Sequence, residues 1–312
     1  MTTPTVYKWD DDGAPQLVNR TPSEMLAVIK ACLVDGYGAK SGLGWTLEFE
    51  DTTTQSMVLR NSPVDGTGSY LKFWSASGGD TGTTIRCQSY KLMTDINNGT
   101  FPSYYNSMGS PRAEITSWMI VGTSKCAYII FYVKDSTTNG GTLDSNTHFV
   151  GDFTSRIPND EFCCLVSTMT TANQSSVNWT TSLNYLNSSS NVFAPFDVDA
   201  TDVTHRYVHK AMVTPWGDFN SVRSGEPTLP VNALPTMIGT MVNLNDRHGT
   251  PSDISLSRMR IRGWLTGHYK LDTPCHGASP FGTTIDINGD DFLLLMSATG
   301  QTNNMLSLGD DW

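Results

Sequence analysis

The chain has 312 residues, a formal net charge of −10 and only 16% charged residues. That length allows a large core or two domains, and the acidic balance argues against wrapping DNA or binding anionic membranes as the main task, while leaving room for a local basic patch. Ser, Thr, Asn and Gly fill the place of charge, which is the composition of a β-rich, turn-rich protein and not of a helical enzyme.

The N-terminal stretch MTTPTVYKWDDDG does not show the charged-then-apolar pattern of a secretory signal. A helix is expected over residues 21–35. Thr21 is its N-cap, Pro22 its first residue, and Glu24 reaches back to complete a capping box. Met25, Leu26, Val28, Ile29, Cys32 and Leu33 then trace one amphipathic face. Gly36 is placed to end the helix as a left-handed cap, and Gly38 turns the chain onward.

Beyond the helix the period changes to two. Trp45–Glu50, Met57–Arg60, Tyr70–Trp74 and Thr83–Met93 read as strands. Asp65-Gly66, Gly78-Gly79-Asp80 and Asn97-Asn98-Gly99 are turn signals. Ser117–Val133 reads as a hairpin about Gly122-Thr123-Ser124-Lys125, and His148–Ile157 and Glu161–Met169 as a further pair. Thr170–Ser190 is polar, a surface excursion or a boundary. Arg206–Pro215, Met237–Leu244, Leu256–Gly267, Thr283–Ile287 and Phe292–Ser297 are later strands, the last two joined by an Asn288-Gly289 hairpin turn. The expected fold is mainly β, a β-sandwich-like body with one N-terminal amphipathic helix, and residues 1–312 form one β-rich body. The longest apolar run, near Ala127–Val133, is of strand length and falls well short of the ~18 residues of a membrane span.

Chemistry-bearing patterns are sparse. Ala31–Thr46 (ACLVDGYGAKSGLGWT) superficially resembles a phosphate loop. However, Ala39 precedes Lys40-Ser41, Asp35 occupies the first-glycine position, and the loop follows a helix where phosphate needs a helix N-terminus. A dinucleotide G-x-G-x-x-G fails at Ser41. Cys32, Cys87, Cys126, Cys163, Cys164 and Cys275 form no C-x-x-C pair and read as buried hydrophobes of a chain folding in a reducing cytoplasm. Asp10-Asp11-Asp12-Gly13 and Asp286/Asn288/Asp290 lack the later ligands of a calcium loop and read as solvated turns. His205 and His209 share a side but lack a third metal ligand. No G-x-S-x-G elbow occurs, and Cys275-His276 is adjacency, not catalytic geometry. Paired carboxylates, which meet only in space, stay open. Trp45, Trp74, Trp118, Trp179, Trp216, Trp264 and Trp312 are core residues by default, with interface anchors or a sugar platform as the sharper readings. No catalytic, cofactor or metal residue is assigned.

The segment Met25–Trp45 (MLAVIKACLVDGYGAKSGLGW) resembles the opening of a group of tailed-bacteriophage virion structural proteins. Those proteins share a Gly-Ala-Pro start, a helix, Gly-Tyr-Gly-x-Lys and Gly-Trp-Thr. Here these are Gly13-Ala14-Pro15, Gly36 to Lys40, and Gly44-Trp45-Thr46. The similarity continues at Arg86–Asp95 (RCQSYKLMTD), Phe149–Phe153 (FVGDF) and Arg262–Gly267 (RGWLTG). Thr266 stands where the family has proline, Leu306–Trp312 follows the family's final strand only loosely, and Thr170–Ser190 has no counterpart.

The resemblance implies a virion component without enzymatic activity or cofactor, assembled in the host cytoplasm. Its partners are other virion proteins and copies of itself, with no nucleic acid or membrane. The acidic, Ser/Thr/Asn-rich surface suits an accessory neck or collar protein or a capsid-exterior decoration protein. The alternatives are a receptor- or glycan-binding module of a tail fibre or baseplate, and a glycan hydrolase. The structural motif is expected to be Thr21, Glu24, Gly36, Gly38, Gly44 and Trp45, a joint between helix and sheet. In it Gly42 and Gly44 allow close backbone approach, Trp45 begins the first strand, and Lys40 faces solvent.

Overall fold

Two patterns of apolar residue sort the strands into layers. Strands with strict alternation bury one face, whereas an unbroken apolar run is buried on both. The computed structural model describes residues 2–109, 112–133, 145–167, 192–193, 208–209, 237–244, 260–275, 282–287, 289–295 and 302–312.

Its early strands are β1 (Thr5–Lys8), β2 (Thr46–Asp51), β3 (Ser56–Arg60), β4 (Tyr70–Ser75), β5 (Thr84–Tyr90), β6 (Leu92–Met93) and β7 (Gly99–Thr100). Next come β8 (Asn106–Gly109), β9 (Ser117–Gly122), β10 (Cys126–Tyr132), β11 (Ser145–Asp152), β12 (Thr154–Ser155) and β13 (Cys164–Val166). The later strands are β14 (Val192–Phe193), β15 (Val208–His209), β16 (Met237–Leu244), β17 (Arg260–Cys275), β18 (Thr284–Ile287), β19 (Asp290–Leu295) and β20 (Thr302–Ser307).

Three antiparallel sheets stack. The central one has the order β1-β9-β10-β11-β13. Its β10, CAYIIFY, is apolar along its whole length and buried on both faces. One face presents Trp118, Ile120, Ile129, Phe131 and Val150 to Leu59, Leu71, Phe73 and Ile85 of an outer sheet ordered β2-β3-β4-β5-β8. The other face presents Val121, Tyr128, Ile130 and Phe149 to Leu265, Leu293, Leu295 and Leu306 of a third sheet, β12-β17-β20-β19-β18, with β16 beside β17. Each such side chain contributes about 1.5–3 kcal/mol by leaving water, so the central sheet holds both cores together.

Among the described residues the chain adopts the expected mainly-β, sandwich-like architecture with one helix, and its larger sheets form three stacked layers. The helix α1 (Pro22–Lys30) lies against the first core through Met25, Leu26, Val28 and Ile29. Its capping box forms, and the Glu24 carboxylate also accepts from the Asn19 and Arg20 N–H groups. Asp80, from the β4–β5 turn, accepts from the N–H and hydroxyl of Ser23 at 2.8 and 2.7 Å, tying the helix start to the outer sheet.

Several expected boundaries shift. The helix does not end in a left-handed cap. It widens into a π-helical turn over Ala31–Asp35, closed by Gly36 N–H to Ala31 O at 2.7 Å, and Gly36 has φ 79° but ψ 173°. The Thr83–Met93 run breaks at Lys91 into β5 and β6, and β6 pairs with β7 as a hairpin over the outer face, beside Val58 and Tyr70. The His148–Ile157 run leaves the central sheet after Asp152 and joins the third sheet as β12, opposite Gly263 and Trp264 of β17. The hairpin at Gly122–Lys125 forms as expected, and β18 pairs with β19 from Ile287 and Asp290 onward, as expected, with Asn288 itself outside the described residues. Thr170–Ser190, and Arg206–Pro215 apart from Val208–His209, lie outside the described residues.

Candidate functional site

The first candidate is the helix-to-sheet joint. Tyr37 and Lys40 close a tight turn through two 2.9 Å backbone bonds. Gly38, with φ 55°, approaches so closely that a Cβ there would lie 2.3 Å from Asp12 O; at Gly42 it would lie 2.2 Å from Val34 O. Gly44 has φ 87°, and a Cβ there would meet only Ser124 Cβ at 3.9 Å, so dihedral freedom and not close approach requires glycine there. Trp45 is 2% exposed and donates its indole N–H to Thr123 O at 3.0 Å, pinning the joint to the β9–β10 hairpin. The strand begins one residue later, at Thr46.

Lys40 does not face solvent freely. Its ammonium donates to Val6 O at 2.8 Å and to Asp11 Oδ2 at 2.6 Å. The same Asp11 oxygen accepts from the Tyr37 hydroxyl at 2.7 Å and from Lys8 N–H at 2.8 Å. Asp11 is therefore the hub of a network and not a solvated turn residue. Burial works to raise its pKa, but the bonds from Lys40, Lys8 and Tyr37 outweigh burial and hold it below the ordinary carboxylate value.

The network has a clear geometric purpose. β1 is an edge strand, and Tyr7 and Trp9 point their backbone groups inward to β9. Val6 and Lys8 point theirs outward, where an edge strand offers a template for another chain. Lys40 occupies Val6 O, Asp11 occupies Lys8 N–H, and the Tyr37 hydroxyl lies 3.3 Å from Lys8 O. The Gly-Tyr-Gly-x-Lys loop thus covers the open edge of the central sheet.

The second candidate is a cleft of about 540 Å³ where loops of all three sheets meet, lined among others by Asp65, Thr67, Lys125, Asp152, Asp160 and Thr266. Asp152 is 5% exposed, with Oδ2 accepting from Thr67 N–H at 2.6 Å and Oδ1 from the Thr67 hydroxyl at 2.8 Å. Burial raises its pKa, and the Thr67 bonds oppose that rise without cancelling it. Asp160 receives a two-pronged contact from Arg262, Nε to Oδ2 at 2.7 Å and Nη2 to Oδ1 at 2.5 Å, and also bonds from the Ser155 hydroxyl and Phe162 N–H. The Arg262 guanidinium, 0% exposed, stacks 5.4 Å from the Phe153 ring centre.

Three of the motif segments meet here. Lys91 comes from Arg86–Asp95, Asp152 and Phe153 from Phe149–Phe153, and Thr266 from Arg262–Gly267. A Cβ on Gly263 would stand 2.1 Å from Thr154 O, so only glycine lets β12 and β17 close. The Thr266 hydroxyl bonds that of Thr154 at 2.8 Å, and Thr266 O accepts from Tyr128 at 2.7 Å. Sequence reasoning missed Asp160, Arg262 and Lys125 and gave Asp152 no role. One signal was available: an Asp inside the apolar run FVGDF must find partners if that run is buried.

The remaining candidates stay apart. Cys32, Cys87, Cys126, Cys163 and Cys164 are free and buried, with burial raising each thiol pKa. Cys163 lies just before β13, not within it. Among the described residues no three His, Cys, Asp or Glu groups could hold a metal ion, and no helix is long and apolar enough to cross a membrane. His209 lies in β15, while His205, Trp179, Trp216 and His276 are outside the described residues. Trp118 and Trp312 are buried like Trp45, and Trp74 and Trp264 are half-buried. Asp286 and Asp290 are exposed in the β18–β19 hairpin, where Gly289 N–H bonds Asp286. No protein-family model matches the chain, and no curated protein matches it.

Proposed function

We propose that the chain is a structural component of a tailed-bacteriophage virion, acting through contacts with other virion proteins and with copies of itself. The placement we favour is an accessory neck or collar position, or the capsid exterior. The observation that carries this reading is where the resembling segments sit. Gly-Tyr-Gly-x-Lys covers the edge of the central sheet, Gly-Trp-Thr pins the helix joint to the β9–β10 hairpin, and FVGDF and RGWLTG interlock two sheets. These residues are committed to bracing. Both oxygens of Asp152 and of Asp160 are engaged by protein groups, which favours bracing over general acid and base work.

The second reading, a receptor- or glycan-binding module of a tail fibre or baseplate, is favoured by the open polar cleft. The test is quantitative mass spectrometry of purified particles from a phage encoding the chain. The structural reading expects its peptides at a fixed stoichiometry to the major capsid protein. Their absence from intact particles contradicts both readings and brings a glycan hydrolase forward.

A further inference from the structure

The cleft between the three sheets has chemistry that bracing does not use. Its volume of about 540 Å³ falls in the ~300–1,000 Å³ range of small-molecule sites. Part of the lining is made of mutually satisfied groups: Asp152 with Thr67, Asp160 with Arg262, and the Thr154 and Thr266 hydroxyls. The rim is different. Among the described residues no hydrogen bond engages the Lys125 ammonium or the Asn159 amide, although both line the cleft. The Glu161 side chain, also on the rim, is 71% exposed, with one ion pair to Lys91 at 3.3 Å.

The composition of the lining selects the ligand class. Four carboxylates, of Asp65, Asp152, Asp160 and Glu161, face two lysines, so an anion meets repulsion. A bare cation is disfavoured as well, because the two buried carboxylates are already saturated by Thr67 and Arg262 and the lysines stand beside them. An apolar ligand would strand the rim donors without water. A neutral polyhydroxylated ligand fits each of these conditions. Every sugar hydroxyl donates one hydrogen bond and accepts others, and the lining holds both ammonium and amide donors and carboxylate acceptors. Pro63, exposed on the lining, offers apolar surface for the C–H face of a ring.

We propose that this cleft binds a neutral saccharide, one or two rings in size, with Lys125 and Asn159 as donors and Glu161 as an acceptor. The inference rests on the cleft alone and not on where in a particle the chain sits, so either can fail without the other.

The test is saturation-transfer NMR on the full chain with glucose, galactose, N-acetylglucosamine and lactose, and with glucuronic acid as the anionic comparator. At least one neutral sugar is expected to bind, and to bind better than glucuronic acid. Lys125→Ala and Asn159→Gly should each weaken that binding about tenfold at unchanged Tm, as removal of a hydrogen bond between sugar and protein does. Glycine is chosen because Asn159 has φ 58°. Binding by none of the four neutral sugars, undiminished binding by both variants, or tighter binding of glucuronic acid would overturn the proposal.

Discussion

Acid should loosen the junction between the central and first outer sheets through one residue, His148. It is fully buried on β11, on the face toward β8. Asn106 Nδ2 donates to Ser167 O at 2.6 Å, which fixes its amide and makes it the donor to His148 Nδ1 at 3.1 Å. Asn146 Nδ2 likewise donates to Gly109 O, so its Oδ1 accepts from His148 Nε2 at 3.0 Å. The neutral Nε2–H tautomer satisfies both contacts. A second proton, on Nδ1, would face the Asn106 amide hydrogens with no acceptor. Burial pushes the His148 pKa from 6.5 to about 3.

The unfolded chain therefore binds this proton more readily than the native one. The histidine's contribution is fully present above pH 6.5 and is lost progressively as pH falls toward 3. The whole drop corresponds to roughly 5 kcal/mol, a large share of the ~5–15 kcal/mol total of a typical domain. Urea unfolding between pH 7.5 and pH 4 is the assay, comparing the wild type with His148→Gln, which can accept and donate as the neutral ring does but cannot titrate. Stability of the wild type is expected to fall by up to ~1.4 kcal/mol per pH unit more steeply than that of the variant below pH 6. Asp152, whose raised pKa acts in the opposite sense by losing stability as pH rises, is present in both proteins and cancels. Identical pH dependence in the two proteins would refute the argument.

Three further outcomes follow from the same geometry. Lys40→Ala uncovers Val6 O and leaves Asp11 one partner short; we expect a loss of about 1–3 kcal/mol and concentration-dependent self-association by light scattering, and a fully stable, monodisperse variant would contradict the edge-covering role. Asp160→Ala leaves the fully buried Arg262 charge without its carboxylate, with an expected cost of about 3–5 kcal/mol in denaturant titration, largely recovered by Asp160→Leu with Arg262→Met; a single-variant loss below ~1 kcal/mol would show that water replaces the carboxylate. Gly263→Ala drives a methyl group into Thr154 O and the Phe153 ring; the hydrogen-exchange protection of β12 is expected to fall while that of β3 and β4 is kept, and unchanged protection of β12 would show that the strands part at no cost.

What could be read from the sequence was local. The capping box of Thr21 and Glu24 and the apolar face of α1 need only neighbouring residues, as do the alternation in β2, β4 and β5 and the tight link between β18 and β19. The run CAYIIFY carried the signal of a doubly buried strand, but the identity of its two covering sheets depends on chain segments far away. The chemistry of the joint was hidden for the same reason. Lys40 finds its partners 34 and 29 positions back, at Val6 and Asp11, on an edge strand only four residues long. Asp152 meets Thr67 across 85 positions, and Asp160 meets Arg262 across 102. No periodicity or spacing rule reaches so far. The glycines show the limit from the other side: as punctuation they were legible, but only the fold reveals that Gly42 and Gly263 answer a close approach whereas Gly44 answers a dihedral.

Cryo-electron microscopy of the intact phage particle tests the central claim most directly. The account expects a body of three stacked sheets at a symmetric position on the neck or the shell, with its surfaces against other virion proteins or further copies. Density at the distal tail would contradict the favoured placement and support receptor binding, and absence of this body from the particle would contradict the structural role itself.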